Sequence, residues 1–311
     1  MAGRHLLVMI YFRIVSEFHV SVISTNGCTL INVQYGIVVL LQRTCVTTCI
    51  VGIAVKGVAQ LRNIVYVVCF GFSSIRRFNA VTHQRLKDII VKDFKSPWDV
   101  VACEQTCQVY VADWQDCVWR VSADGADVKR WWPKSSSDTF TPYSLSVMST
   151  RLLVTSYDTN QLIHLDAVGD ELRRVQLQDD MELHHAVETP AGTFIVSHNN
   201  PQLNQCQVSE VNTDAEVLRQ FSGLRLRTFL SLPTVNFPPH VAVDSRGNIF
   251  VADRYYRRIL LLDAQLTLRR VIIDDDQLNY KPPCRMCYRE QSGQLLVGCA
   301  DRVAVFDVLH R

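Results

Sequence analysis

A carboxylate, a hydroxyl, two imidazoles and a thiol, those of Asp99, Ser144, His184, His240 and Cys284, stand at matching points of short apolar segments, with Gly52 at the sixth such point. Brought together, they can hold a metal ion or a small polar ligand. The same pattern fits a solvated channel mouth that tolerates polar residues of any kind, so no resident metal and no cofactor is expected. The tryptophans form a second group, because Trp98, Trp114, Trp119, Trp131 and Trp132 all fall within 35 residues. Trp119 alternates with apolar neighbours, as a core residue does, whereas Trp98 and Trp114 fall at loop or strand-end positions. With Arg254, Tyr255 and Tyr256 they make an aromatic and basic set suited to gripping a partner, since large rigid rings and guanidinium groups dominate binding hot spots.

Other reactive residues read as structural. Cys284-Arg285-Met286-Cys287 is a CxxC, and Cys45 with Cys49 and Cys103 with Cys107 are looser pairs. A structural zinc site needs four ligands on spaced loops. Each of these pairs lies on or beside an apolar run without a second CxxC, so buried thiols are expected. Asp113 and Asp253 end matching segments, where a carboxylate readily accepts from neighbouring backbone amides. No acid, base and nucleophile stand at a spacing that chemistry alone would demand, so no enzymatic activity is expected.

The elements that must position these residues recur. Six apolar runs, aligned on Val67, Val111, Val154, Val196, Val251 and Val297, repeat at steps of 42 to 55 residues. The fifth repeat is clearest: Pro238 to Asp244, the turn Ser245-Arg246-Gly247-Asn248, Ile249 to Asp253, Ile259 to Gln265, then Leu268 to Ile273. Four short β-rich runs separated by turn chemistry make one four-stranded antiparallel blade, and in the second repeat Asp124-Gly125 is a strong hairpin signal. A period near 40 to 50 residues with four strands per unit predicts an all-β, six-bladed β-propeller with little helix. The last repeat ends one strand short. Gly36 to Gln42 is expected to supply that strand by pairing with Val303 to Val308, closing the ring and covering two sheet edges. The longest step predicts a loop insertion at about Ser222 to Asn236 rather than another blade.

Pro-x-x-Val-Ala-Val-Asp, a Gly-Asn turn, Ile-Phe-Val-Ala-Asp and a following Arg-Ile, from Pro238 to Ile259, resemble the NHL repeat, and Pro97 to Val121 matches it partly. The resemblance covers about residues 36–311 and agrees with six blades. It implies a binding propeller, commonly the substrate- or RNA-recognising end of longer proteins that carry RING, B-box and coiled-coil modules; none of those is found in this sequence. A protein partner is therefore the first expectation and single-stranded RNA the alternative. Calcium-dependent lactonases and amidating lyases share the propeller plan, which makes a metal-dependent hydrolase or lyase at the channel mouth a further alternative.

With 48% hydrophobic and 20% charged residues in 311, the chain has material for a large core. A net charge of +2 points to no strongly charged partner. The Arg-Arg pairs at Arg173-Arg174, Arg257-Arg258 and Arg269-Arg270 read mostly as solvated blade edges. Leu6 to Phe12 is interrupted by Arg13, and the apolar stretch Gly36 to Val58 by Gln42, Arg43 and threonines, so neither a signal peptide nor a membrane span is expected. Eleven cysteines, an odd number, and no Asn-x-Ser/Thr sequon favour a reducing cytoplasmic setting. The expected organisation is an N-terminal extension, 1–35, and a monomeric propeller, 36–311.

Overall fold

The computed structural model describes residues 20–25, 28–33, 37–41, 47–50 and 54–308, apart from 115, 134–139, 157, 204 and 225–238. Two compact units divide at Val46/Thr47. In the first, Val20–Thr25, Cys28–Val33 and Ile37–Leu41 form a three-stranded antiparallel sheet.

The second unit contains six four-stranded antiparallel sheets and, among the described residues, no α-helix. Its blades are numbered by their innermost strands: Val55–Leu61, Pro97–Cys103, Ser144–Met148, Glu182–Glu188, His240–Val243 and Pro283–Arg289. These six contact one another in circular order, blade 6 returning to blade 1. This unit is thus a six-bladed β-propeller.

Its core lies between blades. Val67, Val111, Val154, Val196, Val251 and Val297 have no exposed surface, because each sits at the centre of a sheet covered on both faces. One apolar cluster fills each of the six junctions. The junction between blades 6 and 1 packs Leu296, Val303 and Val305 against Val58, Val67 and Phe78.

The turns between third and outer strands repeat one device. Asp166, Asn212 and Asp263 each accept two backbone N–H groups from the residues two and four positions on. Each turn closes through a residue at positive φ, Gly169 at 88°, Ala215 at 64° and Leu266 at 58°. Of these three only blade 3 has a glycine there, as blade 2 has Gly125 at 81°, which is why the turns of blades 4 and 5 are faint in the sequence.

Blade 6 takes its fourth strand from the N-terminal side. Thr47–Ile50 pairs antiparallel with Arg302–Asp307, in register Val303 to Cys49 and Ala304 to Thr48. This corrects the expectation for Gly36 to Gln42, since Ile37–Leu41 pairs with Cys28–Val33 instead. Both segments are β-prone, and only the distance to blade 1 distinguishes them. The expected insertion falls largely on residues 225–238, outside the described residues, as do Leu6 to Phe12. No helix among the described residues is long and apolar enough to cross a membrane.

Candidate functional site

Successive strands alternate direction, so the starts of the innermost strands and the loops between second and third strands share one face. There the innermost strands of blades 1, 2, 4 and 6 each carry a β-bulge, at Lys56, Trp98, His184 and Cys284. A bulge adds one residue without a partner and re-aims its side chain. Together with Tyr143 and Pro239, which precede the first paired residues of blades 3 and 5, the bulged residues line the cavity at the mouth of the axial channel. The residues one position on, Gly57, Asp99, Ser144, His185, His240 and Arg285, form a second ring below them.

The sequence alignment therefore mixed two layers. Asp99, Ser144 and His240 belong to the lower ring, whereas His184 and Cys284 belong to the upper one, and Gly52 lies outside the described residues. Lys56, Tyr143, His185 and Arg285 were missed. The His184-His185 pair was the one sign that register at this point was ambiguous, since a bulge leaves no fixed residue type behind.

The lower ring fills the axis. Asp99 accepts from Ser144 Oγ at 2.7 Å, from the Leu145 amide at 3.0 Å and from the Val100 amide at 2.9 Å. Its carboxylate lies 3.6 Å from the Arg285 guanidinium of blade 6. Gly57, at the same level of intervening blade 1, adds no side chain between them. Burial pushes the Asp99 carboxyl up, against the opposing pull of Arg285 and the hydrogen bonds.

His185 and His240 stack at 3.8 Å. His185 Nε2 is 3.2 Å from the Leu145 carbonyl, and its Nδ1 accepts from the Val241 amide at 3.5 Å. His240 Nδ1 accepts from the Met286 amide at 3.3 Å. With Nδ1 committed to a backbone N–H, both neutral rings carry their proton on Nε2. Burial first, and Arg285 as a further cause, drive their pKa values down, to about 3 for His185 and well below the usual range for His240.

Asp99, His185 and His240 bring ligand-type atoms within 4.8 Å of one another, the one such triple among the described residues. The hydrogen bonds oppose metal binding. A metal needs a bare nitrogen lone pair, whereas both Nδ1 lone pairs accept backbone amides, the His185 Nε2–H meets the Leu145 carbonyl, and the Arg285 cation already lies against the carboxylate.

The mouth cavity has a different character. Lys56, Arg254 and Arg285 line it, with Trp98 and Tyr143 as aromatic wall and no acidic side chain among its described lining residues. Lys56 Nζ sits 3.8 Å from the Trp98 ring centroid. Burial, and then the Arg285 charge, push its pKa down to about 8. Trp98 packs against Trp114 at 5.2 Å, Tyr143 at 5.5 Å and Phe70 at 6.2 Å. Trp98, Trp114 and Arg254 are thus brought to one mouth. Tyr255 and Tyr256 project from the same loop as Arg254 and contact each other at 4.7 Å.

The remaining reactive residues are tied into their blades. Asp113 accepts from the Lys95 and Ser96 amides and from Trp119 Nε1, and Asp253 accepts from the Tyr256 amide and Arg258. Buried Cys103 contacts the Ser149 carbonyl of blade 3, and Cys107, only half-buried against the expectation of a buried thiol, contacts Arg62 of blade 1.

The sequence matches no family model and no curated protein. Solved structures do resemble it. A gluconolactonase from Xanthomonas campestris aligns with a TM-score of 0.63 at 10% identity, over 91% of this chain and 90% of the other. Virginiamycin B lyase from Staphylococcus aureus aligns at 0.58 and 10%, over 85% and 99%. Hydrazine synthase of Kuenenia stuttgartiensis aligns at 0.56 and 16%, over 91% and 90%. At such identities the likeness establishes the β-propeller class alone.

Proposed function

We propose that this chain is a binding module, an NHL-like propeller that holds a protein partner on its mouth face. The spread of exposed apolar side chains over the loops carries this reading. Phe70, Phe72, Leu203, Tyr255, Tyr256 and Tyr280 are exposed on loops of the mouth face, against Val81 and Val168 on the opposite one, while Ile90, Leu172, Val217, Leu218, Leu268 and Val271 are exposed on outer strands. Exposed apolar groups gathered on one surface mark interaction sites. The packed Trp98-Trp114 pair beside Arg254 supplies the rigid aromatic and cationic anchor on which hot spots are built. Binding rather than turnover also suits the axis, where two neutral imidazoles with committed Nδ1 atoms are poor proton acceptors.

Recognition of substrates in ubiquitin-ligase-type pathways fits this reading through the NHL resemblance. A reducing cytoplasmic setting fits the odd number of cysteines and the lack of an Asn-x-Ser/Thr sequon. The lyase and lactonase among the similar structures keep catalysis at the mouth as the alternative, and cations beside stackable rings keep single-stranded RNA as another.

A photo-crosslinking residue placed at Tyr255, with one at Leu172 on an outer strand as control, tests the reading. The expected result is a crosslinked protein at Tyr255 alone, lost in Trp98→Ala with Trp114→Ala at unchanged melting temperature. Equal crosslinking in the double variant overturns it, and salt-sensitive retention of single-stranded RNA in its place assigns the face to RNA.

A further inference from the structure

We propose that the mouth cavity is an anion site that seats a carboxylate group, with Lys56, Arg254 and Arg285 around it and Trp98 and Tyr143 as its aromatic wall. Three observations converge on it. Three cationic side chains from blades 1, 5 and 6 line one cavity whose described lining holds no carboxylate. Bringing like charges together in a partly buried space raises the energy of the empty protein, and an anion between them lowers it. Burial first pushes the Lys56 pKa down to about 8, and the Arg285 and Arg254 charges add to the fall while Cys284 opposes it.

The second observation is the floor. Asp99 lies in the layer below, where it accepts from Ser144, Leu145 and Val100 and faces Arg285. It faces the Arg285 Nε at 3.6 Å, a charge contact without a hydrogen bond, and is not among the residues that line the mouth. The neutral tautomers of His185 and His240 add no negative charge to the floor.

The third observation is the wall. Trp98 is held between Trp114, Tyr143 and Phe70, so the rings are pre-packed against one another and against Lys56. A planar carboxylate pairs with guanidinium groups through parallel hydrogen bonds while its carrier lies on the rings. The carrier is either a free small molecule or an acidic residue of the partner in the preceding reading. The site shares that reading's face but does not depend on it.

Pyridoxal 5′-phosphate, an anionic aldehyde, probes the full-length protein at pH 8. The Lys56 amine adds to the aldehyde carbon, water leaves as the imine forms, and borohydride delivers hydride to the imine carbon to give a stable secondary amine that peptide mapping locates. Lys56 is expected to label about tenfold faster than exposed Lys87 or Lys92, because a lower pKa leaves more free amine and the cations attract the phosphate. Phenylacetate or a hexaglutamate peptide is expected to protect it, and Arg254→Gln to weaken that protection.

Stronger protection by hexaglutamate assigns the carboxylate to a peptide, and stronger protection by phenylacetate assigns it to a small molecule. Labelling no faster than at Lys87, or protection by neither probe, overturns the site. The wild-type competition decides the matter even where Arg254→Gln folds poorly. Anion protection together with unchanged partner crosslinking in the Trp98, Trp114 double variant sinks the interaction reading alone, and the opposite pair of results sinks the anion site alone.

Discussion

At the residue scale, the centre of this propeller is built to keep histidine neutral. His184, His185 and His240 are fully buried and their pKa values are driven down, in each case by burial first. The unfolded chain, with ordinary values near 6.5, binds more protons below that pH than the folded one. Stability conferred by a depressed histidine is therefore complete above about 6.5 and falls as pH drops toward the folded value, by up to about 1.4 kcal/mol per pH unit per group. Asp99, pushed up, acts in the opposite sense above its ordinary value of 3.8, and one carboxyl offsets only part of three imidazoles. Urea unfolding between pH 7.5 and 5 should show a steep decline, shallower in His240→Asn, whose Oδ1 can still accept from the Met286 amide. An identical slope in that variant would show that His240 contributes nothing to the decline.

At the scale of elements, the approach of blade 1 to blade 2 rests on a missing side chain. A Cβ at Gly57 would lie 2.5 Å from the Val100 amide nitrogen and 2.9 Å from the Asp99 backbone. Neither neighbour is the far end of a flexible side chain, so the backbone of one strand or the other must shift. Gly57→Ala should cost about 1–3 kcal/mol, the range of overpacked cores. It should also disturb the Asp99–Arg285 contact across the axis. A denaturation midpoint equal to that of wild type would refute this account of the junction.

At the scale of the whole molecule, the ring must be joined where the chain has two ends. The apolar junction of blades 6 and 1 does part of this, and the short Thr47–Ile50 strand covers the outer edge of blade 6. Ladder hydrogen bonds alternate along an antiparallel pair, so of Thr48→Pro and Cys49→Pro at least one must remove a ladder bond. That variant should lose about 1–3 kcal/mol and expose an edge prone to self-association. Light scattering during thermal unfolding checks it, and monomeric, wild-type melting of both variants would mean that this strand is dispensable.

Period and hydrophobic alternation were local properties, so the sequence determined the blade count, the four strands per blade and the buried central valines. It also placed Trp98, Trp114 and Arg254 at strand ends, where the shared loop face follows from strand direction. The bulges at Lys56, Trp98, His184 and Cys284 lay beyond it, because a bulge is a mismatch between two strands and leaves no residue signature in either. Only the tertiary structure separated the two axial rings, set Arg285 against Asp99 from four blades away in sequence, and fixed the imidazole tautomers through amides of neighbouring blades. It also chose Thr47–Ile50 over Gly36 to Gln42 as the partner of the last blade, since two β-prone runs of similar composition differ only in how far the chain must travel to reach that edge.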